Sequence, residues 1–362
     1  MALNTKKNLL SFDRTKETYL SKISYQASGS QKGVLLSIGN FENFCMQKYG
    51  MANIIPDLLK STEVERFDTL QLWINYMNNT PTKRTNKPLD PATVKMYFSR
   101  VKVYLHYMGI KLDVQDVKHE LSFKRVSEEE KYGLTLDDIN KILDGIYYPM
   151  KVQLMCELSS LMRVGEIVQL RKNHLVLDKE NIIVKIPSEI AKLKKARTTF
   201  FSKEASDLLR PKLKTLSAND LVFGSNDDGI LAEQNASQIL RRHLKRIGLD
   251  MKNSKDLNDI TTHSFRAYGI TKLSRHDENF AKKIAGQKGY LLQYDRLSQD
   301  DKLELYEKYE HELTIDQRKK DKMRIEKLQI QVGSSSDKDE RIEILEGKLA
   351  KFEEFMRKTV KF

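Results

Sequence analysis

The sequence predicts a mainly helical protein with one small antiparallel sheet, arranged as two domains and a charged tail. Three observations predict this. Apolar residues recur at intervals of three and four over much of the chain, the period of one helix face. Residues 181–186 and 197–201 are β-rich runs flanking a lysine-rich turn, and with residues 175–177 they read as a three-stranded meander. Residues 118–133 are charged and nearly free of apolar periodicity, so they read as a linker. The length of 362 residues fits two domains at roughly 150 residues each.

Residues 1–32 are polar and carry no period, so a flexible arm is expected there. From Val34 to Tyr49, the residues Leu35, Ile38, Phe41, Phe44 and Cys45 mark a first helix. Val64, Phe67, Leu70, Trp73 and Met77 mark a second. Residues 80–91 form a basic, proline-containing loop with Lys83 and Arg84. Pro91 then opens a third helix, because proline suits a first turn. Val94, Phe98, Val101 and Leu105 line its apolar face, with Lys95, Arg100 and Lys102 on the others. A helical domain over 33–117 is therefore expected, followed by the linker 118–133. A second domain over 134–315 opens at Thr135, a helix cap. Residues 153–170 read as a long apolar helix interrupted at Arg163-Val-Gly165-Glu166. Further helices are expected at 203–213, 233–247, 263–275, 277–285 and 300–312. The tail, 316–362, holds a charged helix and then a short heptad seam at Ile342, Leu345, Leu349, Phe352, Met356 and Thr359. That seam suits either self-association or docking as an amphipathic helix.

The chain carries 63 lysines and arginines against 50 acids, a net charge of +13. Residues 151–300 hold 27 basic and 18 acidic residues, while 301–362 hold 15 of each. A basic body suits a polyanion partner, although lysines also serve simply to keep a protein soluble. No stretch approaches the ~20 apolar residues that cross a bilayer, so no membrane span is expected. The N-terminus lacks the apolar core of a secretion signal. Two cysteines, Cys45 and Cys156, form neither a disulfide framework nor a cysteine zinc site. A cytoplasmic setting is expected. There is no phosphate-binding P-loop, no HExxH, no GxSxG, and Asn226-Asp-Asp-Gly229 lacks the rest of a calcium loop. Chemistry without a metal or a nucleotide cofactor is expected.

Three basic patches stand out in the second domain. Arg163 lies beside Gly165 in an apolar region and needs an acceptor, either Glu166 in a plain surface pair or a ligand anion. His263 and Arg266 are three apart and share a helix face, where they could serve one anion or merely face solvent. Lys192, Lys194, Lys195 and Arg197 crowd one hairpin, where an anion could gather them or water could solvate them. Together the patches could clamp a phosphodiester. A nucleophile would complete the set, and tyrosines follow at positions 290, 294, 306 and 309.

In order and spacing, Arg163-Val-Gly165-Glu166, Lys192, His263-Ser-Phe-Arg266, Ala285-Gly286-Gln287 and Tyr294 resemble the tyrosine site-specific recombinases, the phage-integrase family. The resemblance spans about residues 35–313. The third helix looks like the family's DNA-binding core-binding domain, and Tyr294-Asp-Arg-Leu-Ser with the segment after it most resembles integrases of archaeal viruses and plasmids.

The resemblance implies a SAM-like helical core-binding domain, an α/β catalytic domain and a cut-and-rejoin reaction on duplex DNA without metal or ATP. Arg163 and Arg266 would hold the scissile phosphate, with His263 orienting it or helping with proton transfer. Lys192, with Lys194 and Lys195 next to it as alternatives, would be the general acid and Tyr294 the nucleophile, with Tyr290 second and Glu166 supporting the site. Lys83, Arg84, Lys95, Arg100, Lys194, Lys195 and Arg197 are the expected DNA contacts. The implied assembly is a tetramer on two DNA sites. Gln287 departs from the family, which usually has His or Trp there. Its amide can donate a hydrogen bond but cannot carry a proton, so Lys288 or His276 could take that part. Two other readings remain open: a non-catalytic DNA-binding relative, and a type IB topoisomerase-like enzyme that relaxes DNA without a partner site.

Overall fold

A computed structural model describes residues 14–26, 28–82, 86–224, 227–289, 296–323 and 325. The chain divides into two units, residues 1–130 and 131–362. Lys83, Arg84, Tyr290, Tyr294, most of the tail helix and the whole heptad seam lie outside the described residues.

The first unit is all helical: α1 (Lys16–Ile23), α2 (Ser28–Tyr49), α3 (Ile55–Lys60), α4 (Glu63–Asn79), α5 (Pro91–Tyr107) and α6 (Val114–Glu120). Thr62 caps α4 in a reciprocal pair with Glu65, and Asp90 caps α5 just before Pro91. Ile38, Phe41 and Phe44 of α2 meet Leu70, Trp73 and Ile74 of α4 and Val94, Phe98 and Val101 of α5 in one core. Trp73 is fully buried and donates its indole N–H to Asn40 Oδ1 at 2.9 Å, so its one polar atom is satisfied.

The expected structureless arm is corrected from Lys16 onward. Thr15 caps α1, and Tyr19 packs between Tyr104 and Tyr107 with ring centroids 5.2 Å away in each case. Only Tyr19 and Ile23 of α1 are buried, and two side chains make no readable period. Helix α6 buries none of its residues and gave no signal either. Residues 124–133 carry no regular structure.

The second unit contains α7 (Leu136–Leu143), α8 (Tyr148–Ser160), α9 (Val164–Ile167), α10 (Lys203–Leu213), α11 (Gly229–Arg246), α12 (Thr262–Ser274), α13 (Glu278–Ala285) and α14 (Gln299–Tyr309). Strands β1 (Leu175–Val176), β2 (Ile183–Ile186) and β3 (Arg197–Phe200) pair antiparallel in the order β1-β2-β3. The mainly helical fold with a small antiparallel sheet is thus as expected from the sequence. Helix α8 is buried almost all round, which explains its lack of a polar face. It packs against α12 so closely that a Cβ on Gly269 would lie 2.4 Å from the Leu158 carbonyl oxygen. Only glycine permits that approach. No helix among the described residues is long and apolar enough to cross a membrane.

Candidate catalytic site

The break in the long apolar segment is what presents Arg163. Leu161 ends α8 in the left-handed region, at φ 55°, and turns the chain. Arg163 then stands at the entry to α9 with its side chain 23% exposed. The tight α8–α12 crossing brings Arg266, one turn before Gly269, against the same break. Arg266 donates to the Leu161 carbonyl and, at 2.8 Å, to the Ala285 carbonyl. Its side chain is 1% exposed, yet among the described residues no carboxylate pairs with it. Burial, and then the charge of Arg163, lower its pKa to about 10, so it stays cationic at neutral pH. The two carbonyls occupy only part of a guanidinium fork.

Glu166 is 2% exposed and is not the acid of a surface pair. Arg197, at the start of β3, grips it bidentately, with Nη2 at 2.6 Å from Oε2 and Nη1 at 3.2 Å from Oε1. The Arg163 backbone N–H adds 3.0 Å, while the Arg163 side chain reaches Oε1 at only 3.3 Å. The Lys192 backbone N–H lies 3.4 Å from the same oxygen. Burial alone would raise the Glu166 pKa, but the Arg197 contacts and the Arg163 N–H outweigh it and hold the carboxyl below its usual value. Arg197 also donates through Nε to the Ile284 carbonyl at 3.0 Å. All three of its nitrogens are therefore committed within the protein. Arg197, expected from the sequence as a DNA contact, thus supports Glu166 and also lines the cleft described next.

Helix α13 ends at Gly286 in the left-handed region, φ 64°. A Cβ there would sit 2.8 Å from the Arg197 guanidinium carbon, so the position needs glycine twice over. The turn sends Gln287 into a cleft of about 650 Å³. Arg163, Lys195, Arg197, Lys283, Lys288 and Lys302 line it too. The cleft is strongly cationic, and among the described residues its lining holds no carboxylate. Lys192 and Lys194 are exposed on the β2–β3 loop beside it, and Lys194 donates to the Glu189 carbonyl at 2.7 Å.

His263 is exposed in the first turn of α12. Partial desolvation, then the charges of Arg266, Lys131, Arg163 and Lys192, lower its pKa. Those electrostatic contacts place His263, Arg266, Arg163 and Lys192 around one region. Tyr306 is fully buried and donates to the Ser159 carbonyl at 2.9 Å, which makes it a packing residue. His276 is not in the cleft lining. It stacks on Tyr309, with ring centroids 5.0 Å away. Lys288 therefore remains beside Gln287. In the first unit Lys95 is exposed, and the Arg100 guanidinium lies across Gly33.

Sequence reasoning missed the Arg197–Glu166 pair and the cleft residues Lys283 and Lys302. Nothing in the sequence ties position 166 to 197, because the link runs through the hairpin register. Position 286 did carry a signal: a glycine directly after a helical period.

Residues 133–286 match the phage integrase family. No curated protein matches the chain. Among solved structures, the Tn1549 transposon integrase in complex with transposon right end DNA is similar at a TM-score of 0.53 and 13% identity, over 81% of this chain and 97% of that one. A lambda integrase dimer bound to a COC′ core site is similar at 0.52 and 13%, over 78% and 79%. The XerH site-specific recombinase bound to palindromic difH substrate is similar at 0.50 and 17%, over 80% and 82%. At such identities the likeness carries the fold.

Proposed function

We propose that this chain, whose residues 133–286 carry the phage integrase family domain, is a site-specific DNA recombinase that cuts and rejoins duplex DNA through a tyrosine. The observation that carries this reading is Arg266, buried beside Arg163 with no carboxylate partner among the described residues. Glu166 and Glu157 act on Arg266 without pairing with it, burial and Arg163 outweigh them, and a buried charge so placed is costly unless a ligand adds negative charge. A phosphodiester is such a ligand, and the cationic cleft at Gln287, lined by Arg163, suits it.

In the proposed reaction the Tyr294 hydroxyl loses its proton to solvent and its oxygen attacks the scissile phosphorus. The bond to the 5′-oxygen breaks, and Lys192 protonates that leaving oxygen. The product is a 3′-phosphotyrosyl ester and a free 5′-hydroxyl. The 5′-hydroxyl of a partner strand then attacks the ester and gives its proton to the now neutral Lys192, the tyrosine oxygen leaves and takes a proton back from solvent, and the strands are exchanged. The ester keeps one phosphodiester-like bond throughout, so no ATP is consumed. Arg163 and Arg266 neutralise the non-bridging oxygens in the transition state. Neutral His263 orients the phosphate. Arg197 fixes Glu166, and Glu166 fixes the backbone at Arg163 and Lys192. A tyrosine with a pKa near 10 is mostly protonated at pH 7, and the surrounding cations ease its ionisation.

Duplex DNA is the proposed partner, the proposed assembly on two DNA sites is a tetramer, and the proposed setting is the cytoplasm. Within the family, the phrase Tyr294-Asp-Arg-Leu-Ser supports a place among integrases of archaeal viruses and plasmids. Lys95, Lys194 and Lys195 are proposed phosphate contacts, with Lys83 and Arg84 on the loop before α5. The proposed domains are the core-binding domain 33–117, the linker 118–133, the catalytic domain 134–315 and the tail.

The test is strand exchange. Duplexes enriched by the protein from a randomised pool are paired, one labelled, and incubated with the protein in EDTA. Exchanged products that need both duplexes and vanish in Tyr294→Phe support recombination. Relaxation of supercoiled DNA with no exchange would point instead to topoisomerase-like action. Gln287 favours a second reading, a silent DNA-binding relative. Binding without any covalent product, restored by Gln287→His, would establish it.

A further inference from the structure

His276 is far in sequence from the adjacent pair His311 and Glu312, but the three meet at one place on the second unit. His276 follows α12 and directly precedes the Asp277 cap of α13. His311 and Glu312 lie in the 3-10 turn directly after α14. Glu312 Oε1 is 3.5 Å from His276 Nε2 and 3.6 Å from His311 Nε2. One ligand atom from each of the three residues lies within 4.8 Å of the others.

These separations exceed an ordinary N–H···O bond of about 2.9 Å. They are close to the edge of a tetrahedral metal site. Bonds of about 2.0–2.1 Å to nitrogen and oxygen place neighbouring ligand atoms about 3.4 Å apart. Two imidazoles with one carboxylate suit zinc, cobalt or nickel, whereas magnesium and calcium prefer all-oxygen shells. Three protein donors leave a fourth position for water.

The donors are also pre-oriented. The His276 ring stacks on Tyr309 with the planes 19° apart. Glu312 is only 15% exposed. Burial raises its pKa, but Lys320, His311, His276 and Lys272 together outweigh that and keep it ionised. Lys320 and Lys272 also oppose a bound cation, which places the expected affinity at micromolar level rather than tighter.

The geometry points to a zinc-class divalent cation site at His276, His311 and Glu312 that clips the start of α13 to the end of α14. Those two helices flank, in sequence, the segment holding Tyr290 and Tyr294. An effect of the cation on DNA cutting rests on the function proposed above. Binding of the cation does not.

The test uses the full chain, stripped with EDTA, desalted and titrated with cobalt chloride at pH 7.5. The expected result is an intense four-coordinate visible band that saturates at one equivalent and is displaced by zinc chloride. Glu312→Gln and His311→Ala should each weaken binding at least tenfold. His119→Ala, exposed on α6 and outside the cluster, should not change it. Zinc should raise the Tm of the parent chain and not that of the variants. Should Glu312→Gln not fold, His276→Ala at its exposed position reads the same change. A chain with no saturable band, or with equal binding in every variant, would overturn the assignment.

Discussion

The Arg197 guanidinium and the Glu166 carboxylate meet through both terminal nitrogens, at 2.6 and 3.2 Å, under a side chain that is 2% exposed. This pair joins the β2–β3 hairpin to the entry of α9. It therefore ties the loop carrying Lys192 to the turn carrying Arg163. Removing one partner strands the other charge in the interior. Arg197→Met should destabilise the fold by up to about 4 kcal/mol, less whatever Arg163 retains. Adding Glu166→Gln to Arg197→Met should recover more than half of that loss. Urea unfolding of the three proteins checks it. A loss under about 0.5 kcal/mol in Arg197→Met would mean the pair is as weak as an exposed one.

Gly286→Ala tests the same pair from the other side. Alanine at φ 64° costs about 1 kcal/mol in the backbone, and its Cβ would press on Arg197 at 2.8 Å. A lower Tm and a slower cleavage rate should appear together, because Gln287 and Arg197 shift as one. A variant that loses stability but cuts at the parent rate would show that Gln287 is not positioned by this turn.

Glu157 gives a pH prediction. It is fully buried on α8 with neither carboxyl oxygen hydrogen-bonded. Burial pushes its pKa well up, the nearby Arg266 charge only partly offsets this, and Glu233 adds to the rise. A raised folded-state pKa favours folding below the unfolded value of about 4.3, and the benefit is lost as pH rises toward the folded one. Glu157→Gln keeps the shape without the titration. Its Tm advantage over the parent should therefore grow from pH 5 to pH 8. A constant difference across that range would contradict a buried neutral carboxyl.

Lys192 is separable from its neighbours by the leaving group. If it protonates the 5′-oxygen, Lys192→Ala should slow cleavage by about 10²–10⁴-fold. A substrate with sulfur at the 5′-bridging position leaves as a thiolate and needs no proton, so it should restore the rate. Lys194→Ala and Lys195→Ala should weaken binding most at low salt, with a shallower salt dependence than the parent, and show no such rescue. Rescue in Lys195→Ala instead would move the general acid along the loop.

The fold was legible where periodicity is strong. The α5 stripe of Val94, Phe98, Val101 and Leu105 and the runs at 181–186 and 197–201 all became elements of the expected kind. It was illegible where an element is short, as in α1, because two buried residues leave no pattern. The interruption at Arg163 was visible, and its cause, the left-handed Leu161, was not. The sequence placed Arg197 among the hairpin cations. Only the hairpin register and the buried Glu166 gave it a partner, and no local pattern encodes a contact across 31 residues.

The central claim, that Arg163, Lys192, His263 and Arg266 serve tyrosine chemistry on DNA, is tested most directly by mapping a trapped link. Protein and a nicked duplex are reacted in EDTA, the adduct is digested with protease and nuclease, and the nucleotide-peptide is sequenced by mass spectrometry. The account predicts one adduct, a 3′-phosphate ester on Tyr294, with a free 5′-hydroxyl on the other end. A 5′-phosphate linkage, an attachment to a side chain other than tyrosine, or no adduct from DNA that the protein binds would contradict it.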